Sequence, residues 1–329
     1  SQRGTGNIYQ GDLAFQSSFA NWDKFSFPEK SRSVVAFYLQ EDWQPVHFFN
    51  LVGGIRFDRY SDFGEAVNPR VALLFFPWID VDIKVQFATS FRAPTFKELY
   101  DETDIEFLGN PDLEPEKIRT FEAGIGFAFA PKSFFRLNAY KNKITDSIGL
   151  EQGASVTSSV QPRRYQNKEG QSIVGAEAEA RFSYHQGSYL YGNASIFNAK
   201  DLGSSSWLTR VPQFRANVRL NQQLPWNTSV NISIIYGGKR ITNTLDEDND
   251  FVLGRIQRAS PYGLVNLAVN RKNILNTGMG VKLSIFNLFN RDYREVVRDH
   301  RMVLSERSDI DARIPTNQRS YFIEAYIGI

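Results

Sequence analysis

Apolar and polar residues alternate with a period of two in segment after segment of this chain. Val81-Asp82-Ile83-Lys84-Val85-Gln86-Phe87 and Phe121-Glu122-Ala123-Gly124-Ile125-Gly126-Phe127 each send apolar side chains to one face and polar or small ones to the other. Patterns of this kind predict strands near 7–20, 34–43, 48–60, 69–76, 81–92, 118–130, 133–145, 163–182, 188–198, 211–222, 227–239, 260–271, 279–290 and 318–329, about fourteen in all. The connections at 44–47, 77–80, 131–132, 183–187, 223–226 and 272–278 are short, and those at 93–117, 146–162, 200–210, 240–259 and 291–317 are long. Alternation of short and long links means up-and-down hairpins in which every second turn lies at the same rim. Outer-membrane barrels have short periplasmic turns and long external loops, which orients the chain and ends its last strand at the periplasm. The predicted fold is all-β, an antiparallel up-and-down transmembrane β-barrel.

Aromatic placement agrees with that orientation. Trp43, Trp78 and Trp226 lie in or beside short turns, with Phe48, Phe49, Phe75 and Phe76 close by. An amphipathic ring is most stable where hydrocarbon meets headgroups, so this clustering predicts an interfacial girdle. Val35, Phe37, Leu39, Leu51, Gly53, Ile55, Phe57, Val174, Ala176, Ala178 and Ala180 fall on the lipid side. Tyr38, Gln40, Asp42, Gly54, Arg56, Asp58, Tyr60, Gly175, Glu177, Glu179 and Arg181 fall in the lumen. Charges of both signs therefore line a water-filled or plugged interior.

Composition excludes several alternatives. The longest apolar run, Val71 to Ile79, contains Pro77 and is about nine residues long, whereas a spanning helix needs about twenty. Mean hydropathy is −0.37 although 14% of residues are aromatic, as expected when two opposite faces average out. With 38 basic and 36 acidic residues, no field suggests nucleic acid. There is no Cys, which suits an exported protein. The chain opens Ser1-Gln2-Arg3-Gly4 with neither an initiator Met nor a signal peptide, as a mature fragment or excised piece would.

Candidate chemistry is sparse. No phosphate loop, His-Glu-x-x-His or nucleophile elbow is present, so no catalytic residue is assigned and no enzyme is expected. Asp246, Glu247, Asp248, Asn249 and Asp250 offer hard oxygen ligands to Ca²⁺, with Asp246, Asp248 and Asp250 the weak metal candidates. They lack the loop Gly and terminal Glu of an EF-hand, and a solvated loop gives the same composition. Asp101, Glu102, Asp104 and Glu106 form a second acidic run. Arg291, Arg294, Arg298, His300 and Arg301 form a basic stretch in the last long loop, with Arg294, Arg298 and Arg301 the ligand-loop candidates. It would attract an anionic ferric chelate and lipopolysaccharide phosphates alike. His47, His185 and His300 are far apart, which disfavours a His-built haem or metal site.

Ser90-Phe91-Arg92-Ala93-Pro94-Thr95-Phe96-Lys97-Glu98-Leu99-Tyr100, then Gly109-Asn110-Pro111-Asp112-Leu113-Glu114-Pro115-Glu116, then Phe121-Glu122-Ala123-Gly124, resemble the barrel signature of TonB-dependent outer-membrane receptors. Ala36 to Trp43, Gly54 to Asp58, Asn68 to Leu73, Tyr165-Gln166-Asn167, Gly175-Ala176-Glu177, and Phe286 to Asn290 with Tyr293 continue the resemblance in the family's order. It implies an importer of scarce nutrients such as iron-siderophore chelates, haem, cobalamin or carbohydrates. It also implies a location in the bacterial outer membrane and energy transmitted through a TonB box and plug. The family's barrel has about 22 strands, so residues 1–329 correspond to a C-terminal part, with plug and box missing and Ile329 at the end where the family usually has Phe or Trp.

Arg92, Pro94, Glu98, Leu99, Tyr100, Asn110, Pro111, Leu113, Pro115 and Glu116 read as organisers of loop and rim. Pro fixes torsions, Gly109 and Asn110 favour turn torsions, and Arg92 at a strand end pairs with a luminal carboxylate. Two other functions fit the pattern, a passive porin or fatty-acid-type channel and a soluble propeller or sandwich.

Overall fold

The computed structural model describes residues 30–101, 107–151, 163–204, 212–243, 256–296, 313–315 and 318–327. In chain order its strands are β1 (Val34–Val46), β2 (Phe49–Tyr60), β3 (Gly64–Trp78), β4 (Val81–Arg92), β5 (Phe107–Leu108), β6 (Glu116–Ala130), β7 (Ser133–Thr145), β8 (Ser147–Leu150), β9 (Arg163–Lys168), β10 (Gln171–His185), β11 (Ser188–Asp201), β12 (Phe214–Leu224), β13 (Thr228–Gly237), β14 (Arg240–Asn243), β15 (Ile256–Ala259), β16 (Tyr262–Arg271), β17 (Met279–Phe286), β18 (Arg294–Val296), β19 (Arg313–Pro315) and β20 (Ser320–Ile327). One short helix, α1 (Phe96–Tyr100), follows β4.

Thirteen strands form one sheet in the order β1-β2-β3-β4-β6-β7-β10-β11-β12-β13-β16-β17-β20, and every pairing within it is antiparallel. The sheet is therefore a simple meander. The long links at one rim build small sheets of their own, β5-β9-β8, β14-β15 and β18-β19. No helix among the described residues is long and apolar enough to cross a membrane.

Register keeps one face apolar across the whole sheet. Phe57 lies opposite Phe37 and Val67, Leu73 opposite Leu51 and Val85, Ile125 opposite Ile83 and Leu137, and Ile232 opposite Leu220 and Leu267. A slip of one residue would turn every one of these side chains to the other side. None of them is buried, Phe37, Val67, Val85, Ile125 and Leu137 being exposed and the rest half-buried, and buried apolar side chains among the described residues are few: Leu99, Leu113, Ala199 and Leu264. A sandwich or propeller would bury this face in a dry core; here it is an outer belt. Phe121 to Phe129 on β6 covers about 27 Å of strand, which when tilted fits the apolar band of about 25 Å found in outer-membrane barrels.

Aromatic rings border the belt at the short-turn rim. Trp78 is 71% and Trp226 79% exposed, and Phe127, Phe129, Phe182 and Tyr184 make a chain of ring contacts with centroids 5.9, 6.5 and 6.1 Å apart. At the opposite rim the outward positions turn charged, with Arg59 paired to Glu65 and Arg119 to Lys143.

Most boundaries fall within three residues of the sequence pattern, and three depart further. The strand expected over 163–182 is broken at Gly170, whose φ is +96° and where a Cβ would lie 2.1 Å from the Ile144 carbonyl oxygen. Residues 163–168 consequently leave the large sheet for the loop sheet. The strand expected to reach 290 stops at Phe286, because Asn287 and Asn290 take left-handed torsions with φ of 51° and 50°. Asn287 closes that turn, its amide nitrogen donating to the Arg291 carbonyl and its side-chain oxygen accepting from the Arg291 N–H, both at 2.9 Å. Finally, β3 begins at Gly64, earlier than expected, and its ladder with β4 begins only at Arg70, after Pro69, which has no N–H to donate. The strand expected over 7–20 lies outside the described residues.

Ile83 is central on the apolar face and its neighbour Lys84 is on the polar one. Ile83→Arg should weaken folding into lipid bilayers by about 2–4 kcal/mol, and Lys84→Ala by much less. Equal losses in a urea titration of vesicle-inserted protein would contradict the assigned faces.

Candidate functional site: the polar wall and the outer-rim knot

The second face of the sheet is a wall of paired polar groups. Each strand contributes every other residue, so a charge meets its neighbour directly across the ladder. Arg136 faces Glu179 at 3.8 Å and Lys282 faces Glu324 at 3.5 Å, while Lys84 reaches diagonally to Glu122 at 4.0 Å. Tyr191 donates to Glu179 at 2.9 Å, Asn193 to the Tyr191 hydroxyl at 3.1 Å, and Asn217 to Asn193 at 2.9 Å. Arg56 holds the fully buried carboxylate of Asp58 at 2.7 Å. Between β1 and β4 the wall opens into a concavity of about 490 Å³ whose lining includes Tyr38, Arg56, Asn68, Arg70 and Ser90. Arg70 donates there to the Gln40 side chain.

Three tyrosines lie flat on this wall because the residue opposite is glycine. Tyr140 faces Gly175, Tyr262 faces Gly237 and Tyr326 faces Gly280. A Cβ on those glycines would sit 2.6, 2.6 and 2.4 Å from the ring, so only glycine lets each ring rest against the backbone.

At the long-loop rim the link after β4 folds into a compact knot around Arg92. Its guanidinium donates to Glu116 at 2.7 and 3.0 Å and to Glu98 at 3.0 Å, tying the end of β4 to the start of β6 and to α1. Glu98 also completes a capping box, accepting from the Thr95 N–H at 2.8 Å while its own N–H donates to the Thr95 hydroxyl at 3.2 Å. Glu116 in addition accepts from the Ile148 N–H at 2.8 Å, which draws in β8. Burial raises the Glu98 pKa, but Arg92 and the Thr95 hydrogen bonds outweigh it and hold the carboxyl below its ordinary 4.5.

Leu99, Leu113, Pro94 and Pro115 are buried inside the knot. Gly109 and Asn110 were expected to shape the turn; Asn110 opens it, its side-chain oxygen accepting from the Asp112 N–H at 3.1 Å and its carbonyl from the Leu113 N–H at 3.3 Å, whereas Gly109 has no positive φ. A Cβ on Gly109 would lie 2.5 Å from the Asp101 nitrogen, so glycine is needed for close approach to the end of α1. The Asn110 amide nitrogen also donates to the Tyr165 carbonyl at 2.9 Å. Asn167 clamps the same link by accepting from the Glu114 N–H and donating to the Glu114 and Asp146 carbonyls, at 2.9, 2.8 and 2.7 Å. Tyr100 stacks under the Lys30 ammonium, 4.6 Å from its ring centroid, whereas Pro111 stands exposed in the turn.

The sequence pattern gave no sign of Arg32. It pairs with Asp62 at 2.8 Å, donates to the Pro94 carbonyl at 2.7 Å and lies over the rings of Phe63 and Phe96. Asp101, first member of the second acidic run, is buried against α1, with Lys97 at 3.8 Å. Glu102, Asp104 and Glu106, the Ca²⁺ candidates Asp246, Asp248 and Asp250, and Arg298, His300 and Arg301 lie outside the described residues. Arg294 begins β18, where it pairs with Pro315. Among the described residues no cluster of His, Asp or Glu is arranged to hold a metal ion.

Residues 2–288 match the family described as TonB dependent receptor-like, beta-barrel. The chain belongs to that family. The TonB-dependent heme receptor A of Haemophilus influenzae is 26% identical over 332 residues, covering 84% of this chain and 44% of its own length. The vitamin B12 transporter BtuB of Photobacterium profundum is 25% identical, covering 81% and 41%. Among solved structures, the Pseudomonas aeruginosa ferric enterobactin receptor PfeA superposes with a TM-score of 0.73 at 17% identity, covering 89% of this chain and 44% of that one. The siderophore receptor PirA of Acinetobacter baumannii superposes with 0.72 at 17%, covering 89% and 45%. The chain thus spans less than half the length of these relatives, and the superpositions establish the receptor barrel as its fold.

In this TonB-dependent receptor sheet the stability that the ionised Glu98 carboxylate gives the knot is complete well above pH 4.5 and disappears as pH falls through its lowered pKa. Hydrogen exchange should show the Leu99 and Gly109 amides losing protection, by about 1.5–3 kcal/mol, as the medium is taken from pH 7 to pH 3. Glu98→Gln should remove part of that pH dependence, the rest belonging to Glu116, whose carboxyl Arg92 also holds below its ordinary 4.5; an unchanged profile in the variant would assign the effect elsewhere.

Proposed function

We propose that this chain is the C-terminal part of the barrel of an outer-membrane receptor that imports a scarce nutrient using energy relayed by TonB. A ferric siderophore is the first candidate cargo, with haem, cobalamin and carbohydrate as alternatives. The observation that carries the reading is the family match joined to the two-faced sheet, apolar and Trp-bordered outside, charged and hydrogen-bonded within. Such a wall is stable against water or against a polar protein body inside it, and in this family that body is the plug through which TonB acts. The outer face lies against lipid and lipopolysaccharide. The relatives' names cover haem, vitamin B12 and siderophores, so the cargo class is a matter for uptake assays. The protein acts by binding and translocation, with no chemical step on its cargo.

The test is growth of a gene-deletion strain under iron or cobalamin starvation, with a ferric catecholate, a ferric hydroxamate, haem or cobalamin as the sole source. Complementation should restore saturable uptake of one of these, and depletion of TonB should abolish it. Uptake that persists without TonB and rises linearly with concentration would replace the receptor by the passive channel.

A further inference from the structure

The concavity between β1 and β4 owes its shape to small residues and a proline. On the polar face Arg70 lies between Gly54 and Ala88, its ladder partners on β2 and β4. Beyond it the β3–β4 ladder stops, and the Thr89 hydroxyl donates to the Pro69 carbonyl at 3.3 Å. A Cβ on Gly54 would lie 3.2 Å from the Arg70 Nε, so glycine lets the guanidinium lie along the wall and reach Gln40. Arg56 stands opposite Asn68, one diagonal from Arg70, and diagonal positions are about 7–8 Å apart. Its Nε and Nη2 hold Asp58 at 2.7 to 3.0 Å, which leaves Nη1 open on a side chain that is 55% exposed. Arg70 is exposed too, and among the described residues it is joined to no carboxylate. Tyr38, Asn68 and Ser90 add donors around the two cations, and no Asp or Glu is among the described lining residues.

We propose that Arg56 and Arg70 bind two carboxylate groups of one small organic anion, the cargo itself. A guanidinium presents a planar fork of N–H donors that matches a carboxylate. Two such forks a diagonal apart, with Ile55, Ala88 and Phe91 beside them for a carbon skeleton, suit a dicarboxylate. A volume of about 490 Å³ is that of a small-molecule site. The proposal rests on the import reading and narrows its cargo to molecules with free carboxylates. Haem, with two propionates, and carboxylate chelates qualify; a catecholate or hydroxamate chelate, whose ligating oxygens are all spent on iron, does not.

The probes are glutarate, its dimethyl ester and inorganic phosphate, each titrated into the full-length receptor in neutral detergent at low salt and followed by calorimetry and thermal unfolding. Glutarate should bind and raise the unfolding temperature, and the ester should do neither. Arg70→Gln and Arg70→Lys should each weaken glutarate about tenfold to a hundredfold; the lysine keeps the charge and loses the fork. Gly54→Val retains every donor but pushes the guanidinium off the wall, and should weaken binding in the same direction. Arg59→Gln, on the outward face opposite Glu65, should leave it unchanged. A wild type that ignores glutarate, binds the ester or phosphate equally well, or loses nothing in Arg70→Gln would overturn the site. In the deletion strain, TonB-dependent uptake of haem or ferric citrate should require Arg70. TonB-dependent uptake of a ferric catecholate alone, indifferent to Arg70→Gln, sinks the site and leaves the import reading. Glutarate binding by a receptor that supports no TonB-dependent uptake sinks that reading, and the cargo assignment with it, and leaves an anion site.

Discussion

Backbone hydrogen bonding in hydrocarbon governs everything else in this sheet. An unpaired N–H or C=O among lipid tails costs several kcal/mol, so each strand must be flanked by another, and the cheapest connectivity is the hairpin meander. Once the ladder is fixed, side chains have only two directions to take, and the chain uses one for lipid and the other for water. The scarcity of buried apolar residues follows directly. This is a wall one residue thick, and its cohesion lies in the ladder and in cross-strand pairs such as Lys84 with Glu122 or Phe57 with Val67.

The two rims answer to different demands. At the short-turn rim the chain only has to reverse, and aromatic side chains settle at the interface. At the long-loop rim it has to build structure without a barrel to lean on, and it does so with a half-buried ionic centre at Arg92. Packing alone would not hold so few residues in place. The Glu98 and Glu116 carboxylates, the capping box and the buried leucines act together, and the knot accordingly holds Leu99, Asp101 and Pro94, half of the largest fully buried side chains among the described residues.

The strands were legible because period two is enforced at every position on both faces. β4 and β7 fall where the alternation put them, 81–92 and 133–145. Errors arose where a single residue overrides the pattern. Gly170 and Asn287 break apparently continuous strands through a positive φ that hydrophobicity does not record. Of the knot, the sequence offered its members but not their roles. Gly109 looks like a turn residue and is a contact residue, and Arg32 carries no local signal because its partners lie 30 and 62 positions away. Asp101 shares its composition with solvated acidic loops, and only the folded position of α1 buries it.

The glycine opposite each of Tyr140, Tyr262 and Tyr326 has a consequence for the bore. A phenol standing upright on the wall would project into the cavity by most of its length; lying down over glycine, it adds little more than the thickness of a ring. Free cross-section is therefore determined by ring attitude as well as by the number of staves. Whatever fills or traverses the interior meets a smooth, hydroxyl-bearing lining at these three places.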